Sequence, residues 1–148
     1  MIAVGSGEPS SKKTELLSRS NVWSNQPDYP FGERYIYDYA IVSMKDLFFI
    51  FGGVIFDAYS NTIASFSTQT KNWNKCGKLK QKRYGHSVFI QEGKFVVVGG
   101  RNGDDNHMYT ERCTLKNGKN DCKTIKPELH DYSYYPEMVA VPHDYCPL

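Results

Sequence analysis

Two stretches decide how this chain is read. The first is Tyr39-Ala40-Ile41-Val42-Ser43-Met44-Lys45-Asp46-Leu47-Phe48-Phe49-Ile50-Phe51-Gly52-Gly53. The second is His86-Ser87-Val88-Phe89-Ile90-Gln91-Glu92-Gly93-Lys94-Phe95-Val96-Val97-Val98-Gly99-Gly100. They align without a gap, and Gly52 and Gly99 stand 47 positions apart. Each holds an apolar run, a polar turn (Lys45-Asp46 or Glu92-Gly93), a second apolar run and a glycine pair. Short apolar runs bounded by turn residues read as strands, and two around a tight turn read as a β-hairpin with both strands largely buried. Glycine fits where a strand ends at a crowded point and the backbone must leave the strand conformation.

Working outward, a fainter copy lies upstream. Met1-Ile2-Ala3-Val4-Gly5-Ser6-Gly7 matches the strand that ends at Gly99-Gly100, and Thr14-Glu15-Leu16-Leu17 matches Thr110-Glu111-Arg112-Cys113. Trp23 follows Gly5 by 18 positions and Trp73 follows Gly52 by 21, so a second hairpin, ending in the tryptophan, follows each glycine site. Each full unit has four strands, two up to the glycine pair and two after it. Four-stranded units repeated at this period are β-propeller blades. The expected fold is all-β, a partial propeller of antiparallel blades with about three repeats. The expected divisions are 1–30, the end of a first blade; 31–80, a second blade; 81–126, a third blade; and 127–148, a terminal strand and tail.

Composition agrees with a globular β-protein. Of 148 residues, 40% are hydrophobic and 14% aromatic, and aromatic side chains suit pleated, half-buried surfaces. A net charge of +2 gives little long-range attraction for nucleic acid, and no such partner is expected. No apolar run reaches membrane-spanning length. The start, Met1-Ile2-Ala3-Val4-Gly5, lacks the basic and long apolar parts of a signal peptide.

The run Arg83-Tyr84-Gly85-His86-Ser87 followed by Gly99-Gly100, and Gly52-Gly53 followed by Tyr59 and Trp73, resemble the kelch repeat. The resemblance covers nearly the whole chain. It departs at Gly5-Ser6, which replaces the first glycine pair, and at Cys122, which stands near the tryptophan position of the last copy. The first strand of the middle copy, Ile36-Tyr37-Asp38-Tyr39, lacks the histidine. Closed propellers have about four to eight blades. The expectation is therefore a piece of a longer propeller, with the remaining blades supplied by a longer chain or another copy. The run 132–141 reads as one more first strand, able to fill the place missing from the first blade.

Asn117-Gly118 signals a two-residue hairpin turn, and counting outward pairs Cys113 with Cys122. In that register the pair is non-hydrogen-bonded, with Cα atoms about 4.5 Å apart, within disulfide range. The positions correspond to Phe66 and Trp73 of the middle copy, so a covalent staple replaces an aromatic pair. The alternative is two buried thiols in a reduced compartment. Cys76 and Cys146 are open: they pair with each other or with other parts of the protein. The cysteines and the tail look like cysteine-containing extracellular kelch proteins of animals, which implies an extracellular or secreted location. The alternative is cytoplasmic, as in an adaptor joined to a BTB domain.

No catalytic set emerges. There is no Gly-x-Ser-x-Gly motif. His107 after Asp104-Asp105-Asn106 does not match a calcium loop. His86 reads as a structural group inside the blade. Lys71, Lys75, Lys78, Lys80, Lys82 and Arg83 form a basic stretch, read as solvated. No metal or cofactor is expected. The function expected is a non-catalytic scaffold that binds a protein through blade loops, with Asp57, Tyr59, Arg101, Asp104 and Asp105 as candidate contacts. The alternative is a piece of a propeller enzyme, a galactose-oxidase-like oxidoreductase or a carbohydrate-active protein, whose catalytic residues lie in other blades.

Overall fold

The computed structural model describes residues 1–5, 12–32, 35–103, 105–106 and 109–125. Every regular element among them is a β-strand. In chain order these are β1 (Ile2–Val4), β2 (Thr14–Leu17), β3 (Trp23–Gln26), β4 (Ile36–Tyr37), β5 (Ala40–Met44), β6 (Leu47–Phe51), β7 (Val54–Ile55) and β8 (Ala58–Tyr59). Then follow β9 (Thr62–Ser67), β10 (Trp73–Lys78), β11 (Ser87–Gln91), β12 (Lys94–Val98), β13 (Arg101–Asn102), β14 (Asp105–Asn106), β15 (Thr110–Lys116) and β16 (Lys119–Ile125).

The two repeats fold alike. β5-β6-β9-β10 form one four-stranded antiparallel blade and β11-β12-β15-β16 form the next. Ahead of them, β1-β2-β3 form a three-stranded piece equivalent to strands two to four of a blade. The copies superpose in detail. Gly5 donates its N–H to Lys13 and Gly52 donates to Thr62, so the step after the second strand is built the same way in both. Tyr37 opposite Val54 and Tyr84 opposite Arg101 make the same bridge one repeat apart.

Strand alternation decides what each blade buries. On β6, Phe49 and Phe51 point toward the following blade, while Ile50 points toward the preceding one. The first core packs Phe49, Phe51, Ile63, Cys76 and Leu79 against Phe95, Val97, Cys113 and Cys122. The Phe49 and Phe51 rings lie 4.7 and 5.2 Å from that of Phe95. Each such buried phenylalanine contributes roughly 2–3 kcal/mol. The second core packs Val4 and Tyr29 against Ile36, Ile50 and Ala64. Tyr39 donates its hydroxyl hydrogen to the Val4 carbonyl, tying the second blade to the first. The two complete blades also join at their outer strands, where β10 and β16 meet in a single parallel pair, Gly77 opposite Asn120. One eight-stranded sheet therefore runs β11-β12-β15-β16-β10-β9-β6-β5. Its first and last strands, β11 and β5, lie side by side.

Several expectations need correction. Ile36-Tyr37 is not the first strand of its blade. It forms β4, which leaves the blade and pairs with β7, and the first strand begins at Ala40. Asp38, at a φ of 52°, makes the turn between them. The tryptophans open the fourth strand of their blades and do not close it, since Trp23 pairs with Leu17 and Trp73 with Phe66 directly after the turn. Trp73 stacks edge-on against Tyr29 of the preceding blade and donates its indole N–H to the Pro27 carbonyl at 2.9 Å. Trp23 is half exposed.

The β15–β16 hairpin has the register counted from Asn117-Gly118, with Cys113 opposite Cys122, and the two sulfurs form a disulfide. The bond spans nine residues of sequence and both cysteines are buried. Closing a loop of this size stabilises by roughly 2–3 kcal/mol. Reduction in dithiothreitol should lower the unfolding free energy measured in urea by that amount, and a Cys113→Ala/Cys122→Ala variant should be insensitive to the reductant. Cys76 is a buried thiol that donates to the Ser65 hydroxyl at 3.0 Å. Burial pushes its pKa up, which suppresses the reactive thiolate. Cys146, the run 132–141, His107, His130 and His143 lie outside the described residues.

Candidate functional site

Beyond the glycine pairs, both complete blades extend small hairpins from the same end. In the second blade β7 and β8 turn through Phe56 and Asp57, whose φ angles of 47° and 58° make a tight hairpin turn. In the third blade β13 pairs with β14. These segments, expected as plain polar connections, are short strands.

Glycine allows the two ends to approach. Gly52 has a φ of 57°, and a Cβ there would lie 2.5 Å from the Arg83 carbonyl oxygen and 2.8 Å from His86 Cε1. Gly53 donates its N–H to that same carbonyl at 2.8 Å. The segment leading into the third blade therefore lies directly on the glycine pair of the second. Gly85 donates to the Asp38 carbonyl, which adds a further link across the two blades.

A buried ion pair holds this segment in place. Arg83 falls in a basic stretch expected to be solvated, but its side chain has no exposure. One guanidinium nitrogen donates to Glu111 Oε1 at 2.7 Å, and the other donates to the carbonyls of Gly99 at 2.8 Å and Tyr109 at 3.1 Å. Glu111 also accepts from the backbone N–H of Lys80 at 2.7 Å and of Gln81 at 3.3 Å. Burial lowers the Arg83 pKa, and the Glu111 carboxylate beside it opposes the shift. Two charges taken out of water need such partners, and of the guanidinium nitrogens only Nε is buried without one. Glu111, Cys113 and Cys122 also bring ligand-type atoms within 4.8 Å of one another. The disulfide occupies both sulfurs and Arg83 engages the carboxylate, so this cluster serves structure.

Above this frame lies an aromatic surface. Tyr59 stacks on Tyr84 with ring centres 4.9 Å apart and planes 13° apart. Tyr84 in turn exchanges backbone hydrogen bonds with Arg101. Two of the candidate contacts, Tyr59 and Arg101, are thereby brought to one place through Tyr84. Asp57 sits exposed at the tip of the neighbouring turn. Asp104 and the side chain of Asp105 lie outside the described residues. The surface also includes Tyr35, packed 5.8 Å from Tyr37 and 6.1 Å from Phe56, which sequence reasoning missed. Tyr37 and Phe56 are 44% and 42% exposed, high for large apolar rings. One signal for Tyr37 and Tyr84 was present, since they occupy the same position 47 residues apart.

No family model matches the chain. The human protein "Kelch-like protein 33" is 30% identical over 91 residues, which are 60% of this chain and 17% of that protein. The solved structure "Structure of YjhT" superposes with a TM-score of 0.63 at 13% identity, over 78% of this chain and 46% of that one. The chain thus spans less than half the length of either. With four-stranded antiparallel units, a 47-residue step and two inter-blade cores, the described fold is that of a partial kelch-type β-propeller.

Proposed function

We propose that the chain is part of a non-catalytic scaffold that holds a protein partner on the end of the blades carrying Tyr37, Phe56, Tyr59, Tyr84 and Arg101. The observation that carries this reading is the exposed aromatic surface beside Arg101, on hairpins fixed to a rigid frame. Aromatic rings and arginine are the residues that dominate binding energy at protein interfaces. The human relative's name supports a kelch-type scaffold. The Cys113–Cys122 disulfide is compatible with an extracellular location. Further blades, from a longer chain or another copy, would complete the ring, since closed propellers have about four to eight blades.

Affinity purification with the full chain should enrich a defined protein. A Tyr59→Ala/Arg101→Ala variant with an unchanged circular dichroism spectrum should bind it at least about 30-fold more weakly, the loss expected for one hot spot of about 2 kcal/mol. Unchanged binding by that variant would contradict the assignment of this surface. Copper-dependent sugar oxidation by the complete protein would contradict the non-catalytic reading.

A further inference from the structure

The face of the third blade that looks away from the second is closed to solvent without a described neighbour. Val96 and Val98 stand 47 positions after Phe49 and Phe51. Strand alternation turns them away from Phe95 and Val97, which pack against the second blade. Neither valine belongs to the two inter-blade cores, and among the described residues no strand lies across this face. Yet each valine is only 4% exposed, and Thr110, on the same face of β15, only 8%. This face is charged where its counterpart on the second blade is not. Lys94 takes the place of Leu47, and Arg112, opposite Val96, takes that of Ser65, opposite Phe49. With Lys116 and Lys123 they line a cleft of about 170 Å³ that also holds Asp121 and Ile125.

We infer that residues 127–148 of this chain dock on this face as an acidic strap with an apolar centre. They contain Glu128, Asp131, Glu137 and Asp144 and no lysine or arginine. The cleft offers the opposite balance, four cations against one carboxylate. The apolar run Met138-Val139-Ala140-Val141 supplies the cover for Val96 and Val98, and the carboxylates on either side of it meet the cations. β16 ends at Ile125, which itself lines the cleft, so the chain enters this face directly. An uncharged cover would take the same cations out of water without partners, which is costly. The run 132–141 cannot also fill the open place in the first blade, so the two placements exclude each other. The aromatic surface proposed above plays no part here, and either reading can fail alone.

The test is methyl nuclear Overhauser spectroscopy on the full chain with labelled valine, isoleucine and methionine. The Val96 and Val98 methyls should show cross-peaks to those of Met138, Val139 or Val141. An equal mixture of labelled and unlabelled protein separates contacts within a chain from contacts between copies. Carbodiimide, which joins an amine to a carboxylate in contact with it, should link Lys94 or Lys123 to an acidic residue of 127–148. In a Lys94→Glu/Lys123→Glu variant, relaxation of the Val96 methyls by a soluble gadolinium chelate should rise at least about threefold, as expected when surface ion pairs are lost and reversed. No rise would overturn the acidic strap. Cross-peaks from 138–141 to Ile2, or links to Lys12 or Lys13, would overturn it by placing the segment on the first blade. Cross-peaks between copies would give the face to a second copy and overturn it as well. So would Val96 methyls as open to the chelate as those of Ile41, which is 39% exposed.

Discussion

Gly52→Ala should destabilise the fold by about 3 kcal/mol or more. Two costs add. A non-glycine residue in the left-handed region costs roughly 1–2 kcal/mol. The new methyl would also lie 2.5 Å from the Arg83 carbonyl oxygen and 3.3 Å from that of Ser60, and both are backbone atoms that cannot swing aside. Overpacking of this kind costs roughly 1–3 kcal/mol. The Gly53 N–H bond to Arg83 would be stretched as the segment moves away. Gly93 and Gly118 provide the control. Their φ angles are 69° and 74°, but a Cβ at either meets nothing within 4 Å. Gly93→Ala and Gly118→Ala should therefore cost only about 1–2 kcal/mol. Urea denaturation of the three variants checks this. Equal losses would mean that close approach of the blades is not what glycine serves at Gly52.

Removing one partner of the buried ion pair should cost about as much. Glu111→Ala leaves the Arg83 guanidinium without its carboxylate in an interior with no solvent access. It also strips the acceptor from the backbone N–H groups of Lys80 and Gln81. The expected loss is about 3–5 kcal/mol. Glu111→Gln, which keeps an oxygen for those N–H groups, should lose less. The double variant Arg83→Met/Glu111→Leu should recover much of the loss, because no uncompensated charge stays behind. A double variant that loses the sum of the two single effects would show that the pair contributes no coupling. The pair explains how the turn between the two complete blades is held: one carboxylate binds two backbone amides and the arginine next in line.

The strand pattern was legible because its causes are local. Apolar runs, Lys45-Asp46, Glu92-Gly93 and the paired glycines place β5, β6, β11 and β12 by short-range rules, and Asn117-Gly118 fixes the Cys113–Cys122 register by counting alone. What stayed hidden depends on groups distant in sequence. Arg83 sits among lysines, and only the fold brings Glu111, 28 residues later, against it. Tyr37 and Tyr84 share the 47-residue step, but Tyr35 and Phe56 carry no such spacing, and they meet only when β4 leaves the blade to pair with β7. The small hairpins leave no mark in the sequence because two-residue strands are too short for an alternation pattern. The burial of Asn120 follows from Gly77 on the neighbouring blade, which no local rule connects to it.

The central claim is that consecutive repeats stack face to face through Phe49, Phe51 and Phe95. Aromatic nuclear Overhauser spectroscopy on the chain with labelled phenylalanines tests it most directly. The rings of Phe49 and Phe51 lie 4.7 and 5.2 Å from that of Phe95, so strong cross-peaks should join both to it. They should accompany the ladder contacts of Phe51 with Ile63 and of Phe95 with Cys113. Intact ladders within each blade with no cross-peak between the phenylalanines would contradict the stacked arrangement.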